Sequence, residues 1–472
     1  MTEPNQDSPQ DGTVSHDPKV PEKLLALMAT GWADRQVPET VEGAGAPFRA
    51  ARRRALAGRF PGEWLVVPSG GYQMRANDTE YRFRPGTELA WLTGAMEPDV
   101  VLVIDPDGVA VLYQAPTMDR STPAFFTNRM YGELWVGPRP SLAVTAAELG
   151  LTVRPLEQLE ELKGTDARLV RGYDHGVEDL FVSEPEADKA LTEALSELRL
   201  VKDSYEVGQL QEAVDATVRG FGDVVRGLFE ARRTSERHLE GVFGLRARVE
   251  GNDVGYGSIC AAGAHACTLH WTDNDGPVKD GDLVLLDMGV EGRELYTADV
   301  TRTLPVNGTF TPRQRQVYDL VHASQEAAFA ACRPGVDFLA PHKAAMVVLA
   351  HGLVELGILP DAEAALAEDD QSYRRWTLHG VSHMLGMDVH DCAHAREENY
   401  RKGTLEVGHV LTLEPGLYFQ PDDLMVPEDL RGMGVRIEDD VVVTEGGCRN
   451  LSDALPRDSA GVEAWMAAVI NS

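Results

Sequence analysis

Two hydrophobic rhythms divide the chain. From about residue 45 to 185, short apolar runs alternate with turn signals. EWLVVPSGG (63–71) and DVVLVIDPDGVAVLY (99–113) are the clearest, the second interrupted by a turn at 106–108. Such runs predict strands. Pro185 is placed to open a helix over 186–200, because a first-turn proline has no N–H to lose. From Ser204 the period changes. Val207, Leu210, Val214, Val218, Phe221, Val224 and Leu228 recur every three or four residues and draw one apolar stripe along a long helix. The change predicts a domain boundary near residue 200, with a compact α/β domain over 41–200 and a second domain over 201–472. There, helices are expected at 312–332, closed by Pro334 and Gly335, and at 339–357. They alternate with apolar strands near 282–290, 409–419 and 435–444. The acidic, alanine-rich DAEAALAEDDQSYRRW (361–376) reads as a surface helix or insertion. No repeat of fixed 20–50-residue period is visible.

Bulk composition narrows the partners. With 472 residues the chain is long for one core, which agrees with two domains. Its net charge of −31 argues against nucleic acid or an anionic membrane, both of which reward basic patches. The five cysteines are odd in number and contain no CxxC pair, so a reducing cytoplasm is the expected setting. The first residues, MTEPNQDSPQDGTVSHDPKV, lack the apolar and basic regions of a signal peptide, and residues 1–40 are expected to form a disordered or extended tail. No apolar run is long enough to span a membrane.

The candidate chemistry lies in the second domain's strands. In DLVLLDMGV (282–290), Leu283, Leu285 and Asp287 share a face, because side chains alternate with period two. Asp299 shares one with Thr301 and Thr303, Glu414 with Val410 and Thr412, and Glu438 with Arg436 and Asp440. A buried carboxylate needs a cation or a proton. One arginine, Arg436, cannot neutralise four of them, whereas a pair of metal ions can. The run TLHGVSHMLGMDVHD (377–391) adds His379, His383 and His390, and CTLHWTDND (267–275) adds His270. The four-residue gap between His379 and His383 would put both on one face of a helical turn, although Gly380 and Gly386 argue against a long helix. One histidine with four carboxylates is an oxygen-rich set. It suits manganese, iron or cobalt better than a thiolate-type zinc site, and two such ions would support hydrolysis.

The order Asp287, Asp299, His383, Glu414, Glu438 resembles the ligand order of the pita-bread metallopeptidases, a group that includes aminopeptidase P, prolidase and methionine aminopeptidase. The words LHWTDND, DGDLVLLDMG, ADVTRTLPVNGTFT, HGVSHMLGMDVHD, LEPGLYF and GVRIEDDVVVTE are similar to those of Xaa-Pro aminopeptidases, and YRFRPGTELAWLTGAMEPDVVLVI (81–104) is similar to that family's N-terminal domain. The resemblance implies a two-domain α/β protein, with a creatinase-like N-terminal α/β domain followed by a pita-bread α+β catalytic domain. It implies release of the N-terminal residue from peptides with proline second, by attack of a metal-bridging hydroxide. Two divalent ions are implied, manganese first, with cobalt, iron or zinc as alternatives. Asp287, Asp299, His383, Glu414 and Glu438 would be the ligands, with Glu414 also the general base. His390 and His270 would sit beside the scissile carbonyl and the proline, and His379 would flank the proline pocket. Arg436 would orient metal-bound carboxylates, and Tyr256 would line the first side-chain pocket. Trp135 resembles a tryptophan donated by a neighbouring subunit, implying a homodimer or homotetramer. Prolidase, which cleaves Xaa-Pro dipeptides, is the alternative within the enzyme class. A catalytically inactive pita-bread binding protein is the alternative outside it.

Overall fold

A computed structural model of the chain describes residues 20–33 and 40–471. Most of the expected tail lies outside the described residues. Within it, Glu22–Met28 forms a helix that buries no side chain. The chain divides into two compact units, Met1–Thr192 and Glu193–Ser472. The division falls inside the helix Pro185–Arg199, slightly before the change of hydrophobic period.

The first unit is built on a five-stranded mixed sheet, in the order Thr152–Pro155, Ala110–Gln114, Val101–Ile104, Trp64–Pro68, Ala167–Leu169. Its central strands are the two apolar runs expected from the sequence. Val101–Ile104 and Ala110–Gln114 form the hairpin that the turn at 106–108 requires. Alternation puts Val66, Val101, Val103 and Tyr113 into one core with Leu169.

In the second unit the helix Ser204–Ala231 starts with a capping box between Asp203 and Glu206. It buries Leu210, Val214, Phe221, Val224 and Leu228, while Val207 and Val218 sit at the margin of the stripe. A second helix, Glu236–Glu250, packs on it, with Phe243 edge-on to Phe221. An antiparallel sheet follows, ordered Val300–Pro305, Leu283–Met288, Ile259–Ala262. The same order then recurs. Helices Pro312–Ala331 and Ala340–Glu355 precede the antiparallel sheet Val410–Leu413, Asp439–Thr444, Gly447–Asn450.

The strands are shorter than the apolar runs suggest, and the breaks carry chemistry. The run 409–419 stops after Leu413, because Pro415 has no N–H for a ladder. It resumes as Gly416–Phe419, paired with Met433–Arg436. Glu414 occupies that break, Glu438 lies between Met433–Arg436 and Asp439–Thr444, and Asp299 immediately precedes Val300–Pro305. Each of the three therefore sits where a strand ends. The segment 361–376 lies mostly at the surface, as expected, but its end does not. Ala362–Leu366 is a short helix, but Trp376, 2% exposed, is among the largest buried side chains and belongs to the core.

Candidate metal centre

The breaks converge on a cavity of about 810 Å³. Asp287, Asp299, Glu414 and Glu438 line it together with His383. His270, His379, His390, Tyr256 and Arg436 face the same space. Ten of the eleven site residues read from the sequence are thus brought together. The other, Trp135, belongs to the first unit, where its indole N–H donates to the Phe126 carbonyl (2.9 Å) and Arg129 lies over its ring.

Backbone pairing places His383. The segment 381–385 runs beside the strand Val410–Leu413. The Thr412 N–H donates to the His383 carbonyl (3.0 Å), the Glu414 N–H to the Val381 carbonyl (2.9 Å) and the Leu385 N–H to the Val410 carbonyl (2.9 Å). The helical turn considered for His379 and His383 is therefore not formed. Gly380 and Gly386 remove helix propensity, and the neighbouring strand takes the backbone donors instead. Gly386 also has no room for a side chain, because a Cβ there would meet an Asp391 carboxylate oxygen at 2.1 Å.

Ligand atoms of Asp299, His383 and Glu438 all lie within 4.8 Å of one another. His383 Nδ1 faces the Met384 carbonyl (3.2 Å), so it carries the proton in the neutral ring. Nε2 then turns its lone pair toward Asp299 Oδ2 (3.3 Å) and Glu414 Oε1 (3.6 Å). A lone pair facing two carboxylates is repulsive unless a cation or an extra proton lies between them. Burial opposes charge on the ring, but Asp299 and Glu414 outweigh it and lift His383 to about 9.

The acids show the same shortage of positive charge. Burial, reinforced by Asp299, Glu414 and Asp287, drives Glu438 well above the usual carboxylate range. Glu414 is pushed up to about 7, by burial first, against the pull of His383. Asp287 is also raised by burial although Arg436 Nη2 donates to it at 2.5 Å. A single Tyr256 hydroxyl lies 2.7 Å from Asp287 and 2.6 Å from Asp299, one proton between two carboxylates. The donor set, its burial and its excess negative charge fit divalent cations held by oxygen and imidazole ligands.

Several contributors escaped the sequence reading. The Thr301 hydroxyl donates to Glu438 (2.6 Å), and the backbone N–H of Asp299 donates to Asp440 (3.0 Å). Tyr418 is the most informative. Arg436 Nη1 donates to its hydroxyl (2.9 Å), which donates in turn to His379 Nε2 (2.9 Å), since His379 Nδ1 is committed to the Gly380 carbonyl (2.8 Å). This arrangement keeps His379 neutral, and burial together with Arg436 holds it down at about 3. Tyr418 lies two residues beyond Gly416 on the same strand face, the one signal that could have flagged it.

Known proteins resemble the chain over both of its units. Residues 208–445 match metallopeptidase family M24, and residues 49–169 match the aminopeptidase P N-terminal domain. The chain is 54% identical over 463 residues to Xaa-Pro aminopeptidase 1 of Streptomyces coelicolor, covering 96% of this chain and 93% of that protein. Among solved structures it is similar to Pseudomonas aeruginosa aminopeptidase PepP (TM-score 0.79, 31% identity, 91% of this chain and 100% of that one). It is equally similar to Escherichia coli aminopeptidase P with the inhibitor Pro-Leu (TM-score 0.79, 30% identity, 91% and 100%).

Proposed function

The chain belongs to metallopeptidase family M24, with the aminopeptidase P N-terminal domain ahead of the catalytic one, and from that premise we propose how its own residues act. It is an Xaa-Pro aminopeptidase: it releases the N-terminal residue from peptides with proline second. The observation that carries the reading is the His383 imidazole turned toward Asp299 and Glu414 in a cavity with room for a short peptide.

Asp287, Asp299, His383, Glu414 and Glu438 would hold two divalent ions, and the hardness of this set favours manganese. When bound, such a pair supplies Lewis acidity, making water a better nucleophile and neutralising charge that develops on the carbonyl oxygen. Glu414 accepts the proton of the attacking water and returns it to the proline nitrogen as the C–N bond breaks. His390 donates to the carbonyl oxygen as it gains charge, and His270 closes the opposite side of the scissile bond. His379, kept neutral beside Tyr418, flanks the proline ring. Arg436 fixes Asp287 directly and reaches Thr301, the donor to Glu438, through Nε (3.1 Å). Tyr256 lines the pocket for the first side chain. The exposed Trp135 would complete a neighbouring subunit's site in a dimer or tetramer. The five cysteines are unpaired, which supports a reducing cytoplasm, and no helix among the described residues is long and apolar enough to cross a membrane.

Glu414→Gln tests the assignment. The variant should fold and bind peptide, yet lose nearly all turnover of an Xaa-Pro-Xaa tripeptide with Mn²⁺ present. Retained turnover would place the base elsewhere. Cleavage of Xaa-Pro dipeptides with tripeptides left intact would instead make the chain a prolidase.

A further inference from the structure

His270 lines the catalytic cavity, yet no hydrogen bond among the described residues holds its ring. Its position depends on the backbone of the loop 263–276, which has no strand of its own beyond a short 3-10 turn at Gly263–Cys267. One buried side chain organises that loop. Glu236, the first residue of the helix Glu236–Glu250, is 0% exposed, and no arginine or lysine forms a salt bridge with it among the described residues. Its Oε1 accepts from the Ala262 N–H (2.7 Å) and faces His265 Nδ1 (2.9 Å). Its Oε2 accepts from the Trp271 indole N–H (2.9 Å) and the Gly276 N–H (2.7 Å). The Glu236 N–H donates back to the Gly276 carbonyl (3.0 Å). One carboxylate thus ties the start of the loop, its end, and the residue that follows His270.

The packing around it is tight. The His265 and Trp271 rings stack at 3.9 Å between centroids, and a Cβ on Gly276 would meet His265 at 2.2 Å. Near the loop's end, buried Asn274 accepts from the Cys260 N–H (2.8 Å) and donates to the Ser258 carbonyl (2.9 Å). Four donors surround Glu236, two on each oxygen. A glutamine there would point its NH₂ at one pair of them, whichever way the amide turned.

We propose that Glu236 is a positioning residue for His270: its carboxylate sets the loop geometry that carries the imidazole to the scissile bond. The proposal rests on the role given to His270 above. A double-mutant cycle on the Mn²⁺-loaded enzyme, using Glu236→Gln and His270→Ala with an Xaa-Pro-Xaa substrate, separates the two claims. Glu236→Gln alone should lower kcat by roughly ten-fold or more with a smaller change in KM, and should cost less than about two-fold further in the His270→Ala background. Val462→Ala, a core truncation in the helix Ser459–Ile470, serves as the destabilised control and should act equally in both backgrounds. If Glu236→Gln fails to fold, Trp271→Phe removes one of the four donors while keeping an aromatic, though smaller, ring against His265, and should show the same coupling. Full multiplicative effects of Glu236→Gln and His270→Ala would overturn the positioning role. An unimpaired His270→Ala enzyme would instead overturn the role of His270 itself, and the proposal with it.

Discussion

Asp391 and Glu438 are both buried carboxylates, 2% and 1% exposed, in one catalytic unit, and their surroundings are opposite. Asp391 accepts from Lys202 Nζ (2.9 Å) and is in direct contact with the Arg199 guanidinium. Burial alone would raise its pKa, but Arg199 and Lys202 outweigh burial and hold the carboxyl well below the usual range. Glu438 has the Thr301 hydroxyl for company and three other carboxylates nearby, and it is driven the other way. The neighbouring Asp439 repeats the first pattern, with Arg302 Nη2 (2.7 Å), Ser452 (2.6 Å) and Gln325 (2.8 Å) around it. The fold therefore satisfies Asp391 and Asp439 from within and leaves the acids that line the cavity, Glu438 among them, short of positive charge. That shortage is what a cation site looks like before its ions are counted.

The contrast is broken most severely by removing a functional acid. Glu438→Gln should lose turnover by roughly 10³-fold or more, while the metal-free protein melts no lower than the parent. A calorimetric scan of both metal-free proteins checks the second half. Asp391→Asn should do the reverse and strand Lys202 as a buried cation, while Arg199 loses Asp391 and keeps Asp388. It should cost about 3–5 kcal/mol of unfolding free energy in urea titration. His390→Ala should lower kcat by roughly 10²-fold, because a donor to a developing oxyanion acts in the transition state. An effect confined to KM would move His390 into substrate binding. The smallest effect is on acid stability. Since the folded pKa of Asp391 is depressed, its contribution is fully present above the unfolded value of about 4 and is lost as pH falls toward the folded one. Asp391→Asn should therefore flatten the decline of stability below about pH 4.

Much of this was legible in the sequence because it rests on local pattern. The period change near Ser204 and the short apolar strands before it needed only alternation and helical spacing. The acids stood out because Asp287, Asp299, Glu414 and Glu438 interrupt apolar runs where a carboxylate is costly. What stayed hidden depends on contacts between distant segments. Alternation puts Glu438 and Asp439 on opposite faces, but it does not show that Arg302 and Gln325 arrive at Asp439 and leave Glu438 without them. The local spacing of His379 and His383 suggested a helical turn, whereas pairing with Val410–Leu413 decides the outcome. Likewise Glu236 reads as an ordinary first-turn glutamate until the loop 263–276 folds over it.

The central claim is that the four carboxylates and His383 are arranged around a pair of divalent ions. Isothermal titration of the metal-free protein with Mn²⁺ tests it most directly. The parent should bind two ions per chain, and Glu438→Gln should bind at most one. Failure of the parent to bind Mn²⁺ at millimolar concentration, or an unchanged stoichiometry in the variant, would contradict the account.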